Sequence, residues 1–293
     1  MVPEAPLRHR IPGADPGVEL ALLEWGGAGP PALLHHANGF CGALWAPVAE
    51  RLAQRFRVFA IDARGHGDSS KPEGDAAYAW PRLAADLGVA ADWVLERTGA
   101  GTIGLGVGHS FGGTLTMAAA AARQGRYARA LLIDPVILPR ALQSEGKTRP
   151  VAEPPMAERA RRRRHRWPSR TEARAFFAEK ALFADWTRRA MDLYAAEGLA
   201  DREQGVELKC PGRVEGAIFA GGDTLDPFAV AARAELPLRI LRATRGDFPR
   251  EVFHDLVTRL PSGELADIDG GHLVVMERPD AVTEALLAFA DDA

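Results

Sequence analysis

The stretch Gly104-Leu-Gly-Val-Gly108-His109-Ser110-Phe111-Gly112-Gly113 constrains this chain more than any other. Upstream, Thr102-Ile103 and Leu105-Gly-Val107 form a short apolar run that reads as a strand. Downstream, Thr114 to Ala122 is a run of good helix formers. Between them lies G-x-S-x-G, with Gly108 and Gly112 two residues either side of Ser110. A strand that turns this tightly into a helix leaves no room for side chains at the glycines. It holds the serine in a strained conformation and offers its hydroxyl beside the positive end of the helix. The simpler alternative is that Ser110 only caps a helix from Phe111 to Gln124.

Strands and helices alternate on either side of this turn. Val18–Trp25, Ala32–Leu34, Phe56–Ile61, Ala130–Asp134 and Leu236–Leu241 read as strands, and Glu264–Ile268 as the last. Helices are expected from about Ala43 to Gln54, Trp80 to Thr98 and Arg250 to Leu260, and after Pro279. Such spacing predicts right-handed crossovers, and hence an α/β fold with a mostly parallel, doubly wound sheet. Ligands in such sheets bind beyond the carboxyl ends of the strands. The loops His35–Phe40, Asp62–Ser70, Arg242–Pro249 and Asp269–His272 all fall there.

From about Leu138 to Phe228 strands nearly vanish and Arg, Glu and Pro accumulate. Ser169-x-x-Glu172 has the form of a capping box opening a helix through Lys180. Further helices are expected over Asp185–Glu197 and Arg213–Ala220. The chain therefore divides into a core, residues 1–137 and 229–293, and a helical cap insertion, 138–228. The basic run Arg159–Arg166 reads as a solvated helix face or loop rather than an anion site.

Ser110, Asp247 and His272 stand in that chain order, each just past a predicted strand. A serine hydroxyl needs an adjacent base near neutrality. Histidine supplies it, and an aspartate fixes the imidazole tautomer and stabilises its charged form.

With these residues assembled, the chain resembles the cap-bearing branch of the α/β-hydrolase fold superfamily. The matching segments are His36-Ala-Asn-Gly-Phe40, Asp62-x-Arg64-Gly-His66-Gly67-x-Ser69, Gly108–Gly112, Asp134-Pro135 and Gly271-His272-x-x-x-Met276-Glu277-x-Pro279. The resemblance implies Ser110 as nucleophile, Asp247 as acid and His272 as base. It also implies an oxyanion hole made by the backbone N–H groups of Asn38 and Phe111. Asp134 is the alternative acid, because some relatives place the acid after that earlier strand. Asp247 is preferred here because Pro135 follows Asp134 directly. Ala37 stands where many relatives have glycine, and alanine tolerates a left-handed backbone poorly. Relatives that dehalogenate or open epoxides carry aspartate at the position of Ser110, so an acyl-serine route is expected instead.

Phe40, His109, Trp167, Phe183 and Trp186 are candidate walls of a substrate pocket, with ordinary packing of cap on core as their alternative. His66 is expected to stabilise its own turn, and Cys41 to act as a small buried hydrophobe. The glycines at 104, 106 and 108 do not make a dinucleotide site, because His109 occupies the place of the third glycine. No His/Cys cluster has metal-ligand spacing, so neither cofactor nor metal is expected. A net charge of -3 gives no reason to expect nucleic acid or an anionic membrane as partner. Two cysteines, no apolar leader and no 18-residue apolar run point to a cytoplasmic location. The expected activity is hydrolysis of a small carboxylic ester or related acyl compound. C–C bond hydrolysis, perhydrolysis or a lyase reaction on the same site are alternatives, as is a ligand receptor without turnover.

Overall fold

The computed structural model describes residues 5–137 and 156–292. The proposed start of the insertion, at Leu138, lies outside them. An eight-stranded sheet runs in the order β1-β2-β4-β3-β5-β6-β10-β11. These strands are β1 (Leu7–Pro12), β2 (Glu19–Gly26), β3 (Pro31–His35), β4 (Arg57–Asp62), β5 (Leu105–His109), β6 (Ala130–Ile133), β10 (Leu238–Arg245) and β11 (Gly263–Gly271). The first two pairings are antiparallel and the rest parallel, as the α/β reading expects. Strands β3, β5 and β6 are buried along their whole length, the reason their sequences read as unbroken apolar runs.

Apolar side chains pack on both faces of the sheet. One cluster sets helix α2 (Trp80–Thr98) and helix α3 (Phe111–Ala122) against Phe59, Leu132 and Ile240. The other buries Leu34, Val107 and Ile133 beneath α1 (Ala46–Leu52) and the C-terminal helix Pro279–Asp291. Helix α2 stops at Gly99, which takes a left-handed φ of 68°. Only part of the helix expected from Ala43 to Gln54 forms. A 3-10 turn over Gly42–Trp45 precedes α1, because Pro47 fits the first helical turn and not the interior.

Between β6 and β10 the expected helices form at Arg170–Ala178, Arg188–Glu197 and Gly212–Ala220. Ser169 Oγ accepts from the Glu172 N–H at 3.1 Å, the N-cap bond of the expected capping box. The next helix begins at Arg188 rather than Asp185, because Thr187 caps it by accepting from the Ala190 N–H. Strands do not vanish here: β7 (Arg166–Trp167), β8 (Leu199–Arg202) and β9 (Gly205–Leu208) make a small antiparallel sheet. Its signal was the alternation in β9, where Val206 and Leu208 are buried and Glu207 is not. The exposed charges of β8, Asp201 and Arg202, mask that pattern. Most of the basic run is consumed by local contacts. Arg161 pairs with Asp75, Arg162 with Glu158 and Arg166 with Glu207, while Arg164 lies over the Trp167 and Phe176 rings.

Among the described residues, no helix is long and apolar enough to cross a membrane, and no cluster of His, Cys, Asp and Glu is arranged to hold a metal ion.

Candidate active site

Ser110 sits between β5 and α3 with φ 58° and ψ -129°. Its turn is enforced by contact as well as by torsion. A Cβ on Gly108 would lie 2.2 Å from the Gly112 carbonyl oxygen, and one on Gly112 would lie 2.4 Å from His35 Nδ1. The serine does not act as an ordinary side-chain cap: no side-chain cap hydrogen bond forms at this helix start. Its carbonyl instead accepts from Gly113 N, and its hydroxyl is left for another partner.

That partner is His272. Nε2 of its ring lies 2.9 Å from Ser110 Oγ, and Nδ1 lies 2.6 Å from Asp134 Oδ2. Nδ1–H donates to the carboxylate, so Nε2 is free to accept the serine proton. Burial alone would lower the His272 pKa. The Asp134 hydrogen bond and charge, helped by the fields of Asp247 and Glu277, hold it above its ordinary 6.5.

The carboxylate on the histidine is thus Asp134 and not Asp247, a correction to the preferred sequence assignment. Strand β6 lies between β5 and β10, so its last turn emerges beside Ser110. Asp134 is wholly buried, with φ 39°. Its N–H donates to the Leu241 carbonyl at 2.8 Å, and its Oδ1 accepts from Ala243 N at 3.1 Å. These bonds leave Oδ2 for the imidazole. Pro135 is no obstacle, because the chain has already turned at Asp134. Asp247 follows the end of β10 by two residues and is exposed. At the neighbouring position the backbone comes close to the buried acid: a Cβ on Gly246 would lie 2.5 Å from Asp134 Oδ2.

The loop after β3 faces the serine turn. His36 Nδ1–H donates to the Ala37 carbonyl at 2.8 Å, and His36 Nε2 accepts from Ala63 N at 3.0 Å. Ala37 does not adopt the left-handed conformation, so alanine carries no backbone penalty there. Gly39, with φ 84°, takes it instead. His66 reaches beyond its own turn and accepts the Gly39 N–H at 3.0 Å. Burial keeps these rings neutral, pulling His36 down to about 4 and His66 well below its ordinary value. Phe111 packs its ring on His35, His36, His66 and Trp80, and its backbone N–H opens α3. A first-turn N–H of this kind has no carbonyl partner within its helix.

His109 is fully buried, and burial with the His272 charge nearby lowers it to about 3. As a neutral donor, its Nε2–H bonds to the His272 carbonyl at 2.7 Å and so holds the loop that carries His272. Phe40 and His109 line a cavity of about 10 Å³ together with His36, Ala37, Trp45 and Met276 among others. Trp167, Phe183 and Trp186 do not line it. They build an aromatic cluster in which Trp167 meets Phe177, Phe183 meets Trp186 and Tyr194, and Trp186 meets Phe40. Their position matches the packing alternative. Cys41 is buried, and burial raises its thiol pKa, which makes it a poor nucleophile.

Residues 32–285 match the alpha/beta hydrolase family. The chain belongs to that family. A putative carbamate hydrolase from Caulobacter segnis is 25% identical over 296 residues, covering 96% of this chain and 99% of that protein. Uncharacterised proteins of Mycobacterium bovis and Mycobacterium tuberculosis are 42% identical over 115 residues. That match spans 38% of this alpha/beta hydrolase chain and 29% of their length. The crystal structure of an E-2-(acetamidomethylene)succinate hydrolase superimposes with a TM-score of 0.78 at 21% identity, covering 98% of this chain and 99% of that one. This likeness concerns the fold.

Proposed function

We propose that this alpha/beta hydrolase is a serine hydrolase acting on a small carboxylic ester or related acyl compound through an acyl-serine. The reading is carried by one observation: His272 bridges Ser110 Oγ and the buried Asp134 carboxylate. In the reaction, Ser110 Oγ attacks the acyl carbon as its proton passes to His272 Nε2. The imidazolium, held by Asp134, then protonates the departing alcohol oxygen. Water, giving its proton to the same nitrogen, cleaves the acyl-serine and regenerates the hydroxyl. The backbone N–H groups of Phe111 and Asn38 stabilise the oxyanion at both tetrahedral stages. The residues between β6 and β10 act as a cap on this site. Its partner is a small molecule, and the reaction needs no cofactor.

A carbamate or amide is the second reading, favoured by the full-length similarity to a putative carbamate hydrolase. The test is a p-nitrophenyl ester chain-length series, run beside carbamates and amides, with the parent and Ser110→Ala. Turnover by the parent that vanishes in Ser110→Ala is expected. A parent that turns over none of these, yet is labelled at Ser110 by a fluorophosphonate, has different chemistry on the same serine. Absence of labelling overturns the hydrolase reading.

A further inference from the structure

The loop Asn38–Phe40 is gripped from two sides. On the core side, His66 accepts the Gly39 N–H at 3.0 Å. On the other side, contacts come from separate parts of the segment between β6 and β10. Asn38 Nδ2 donates to the Glu215 carbonyl at 3.1 Å, and the Tyr194 hydroxyl lies 3.4 Å from the Gly39 carbonyl. The Phe40 ring meets those of Trp186 and Tyr194. The Glu215 side chain rests on Gly39 so closely that a Cβ there would lie 2.9 Å from Oε1, with Arg163 Nη1 at 3.6 Å.

Arg163 and Glu215 form an ion pair, Nε to Oε2, at 2.8 Å. The N–H does not point along that line, and neither atom has a hydrogen-bond partner among the described residues. Arg163 Nη2 is anchored separately on the Cys210 carbonyl at 3.1 Å. Buried ion pairs are weak devices for stability, since desolvation offsets most of the attraction. A poorly aligned pair pressed against a glycine has a better use in fixing where that glycine lies.

We infer that Arg163 and Glu215 are positioning residues that set the Asn38–Gly39 loop, and with it the second oxyanion donor, when the inserted segment is docked. This rests on the hydrolase reading above. Neither residue touches the reacting atoms. They make the Asn38 N–H available only when the insertion is seated, so a displaced insertion leaves Ser110, His272 and Asp134 in place but the oxyanion hole incomplete.

The experiment compares the parent with Arg163→Met, Glu215→Gln and the double variant Arg163→Met/Glu215→Leu. Active sites are titrated with a fluorophosphonate, so that turnover is expressed per competent Ser110. Full removal of one oxyanion donor costs roughly a hundredfold to a thousandfold in kcat. Displacement of the loop is expected to cost tenfold or more, with KM changed by less than about threefold and the acid limb of the pH profile unmoved. The double variant leaves no buried charge unpaired, so it decides the matter if the single variants fail to fold. Turnover per titrated site equal to the parent, whatever happens to Tm, overturns the inference. So does an acid limb that shifts with kcat, because the triad rather than the loop is then disturbed. A parent that neither turns over nor labels overturns the hydrolase reading itself, and this inference with it.

Discussion

Asp134 and His272 meet at 2.6 Å although 138 residues separate them in the chain, and the carboxylate is wholly buried while the imidazole is only partly so. Asp134→Asn is therefore expected to cut kcat by about three to four orders of magnitude, because an amide favours the wrong imidazole tautomer. Asp247→Asn removes only a through-space field on an exposed loop and is expected to change kcat by less than about threefold. Steady-state kinetics of the two variants side by side decide between the two acids. The reverse order of effects would restore Asp247.

The raised pKa of His272 gives the pH profile a direction. The proposed mechanism needs the neutral ring, so kcat/KM is expected to fall as pH drops through a midpoint above 6.5. Stability has the opposite sign. A folded-state pKa above the unfolded one stabilises the protein below about pH 6.5, and that contribution is lost as pH rises through the folded value. Tm against pH for the parent and His272→Gln is expected to converge on the alkaline side. An acid limb centred below 6.5 would contradict the ion pair.

Arg64 offers a stability test away from the reacting atoms. Only 1% of its side chain is exposed, and it forms two hydrogen bonds of 2.8 Å to the buried Asp86 carboxylate. Nη1 adds a bond to the Ala77 carbonyl at 3.0 Å. Arg64→Met leaves Asp86 charged and unpaired, at an expected cost of about 3–5 kcal/mol. Chemical denaturation measures it. A loss under about 1 kcal/mol would mean that water reaches the carboxylate.

Gly108→Ala probes the serine turn. The new methyl group would sit 2.2 Å from the Gly112 carbonyl oxygen, a clash of Cβ with backbone that no rotamer relieves. We expect a loss of about 1–3 kcal/mol or more, together with a large fall in fluorophosphonate labelling of Ser110. Normal labelling in this variant would show that the turn can relax.

Much of the fold was legible because local sequence carried it. The fully buried strands β3, β5 and β6 announce themselves as apolar runs, and Gly99 and Ser169 mark helix ends by their own backbone and side-chain chemistry. Strand β1 and the β8–β9 hairpin were missed. In β1 and β8 exposed residues carry charge. The buried positions of the hairpin, Leu199, Val206 and Leu208, are too few in strands this short to show a period, so pairing with a neighbour is what reveals these segments as strands. The same limit hid Arg163 and Glu215, which meet the Gly39 loop only across the fold.

Sequence alone located the serine turn and the histidine that contacts it. Each depends on residues within a few positions: glycines where a Cβ cannot fit, an apolar strand before and a helix or loop after. It also narrowed the carboxylate partner of that histidine to two aspartates, each just past a strand end. Tertiary structure decided which of them bonds to His272. Strands β6 and β10 are neighbours in the sheet, pairing Ala130–Ile133 with Leu238–Leu241, so both candidate acids arrive near His272. Which one faces the imidazole depends on the turn at Asp134, on the Ala243 N–H that holds its other oxygen, and on the exposure of Asp247. None of these is encoded within one local stretch, because each involves groups a hundred or more residues apart or the solvent around a finished fold.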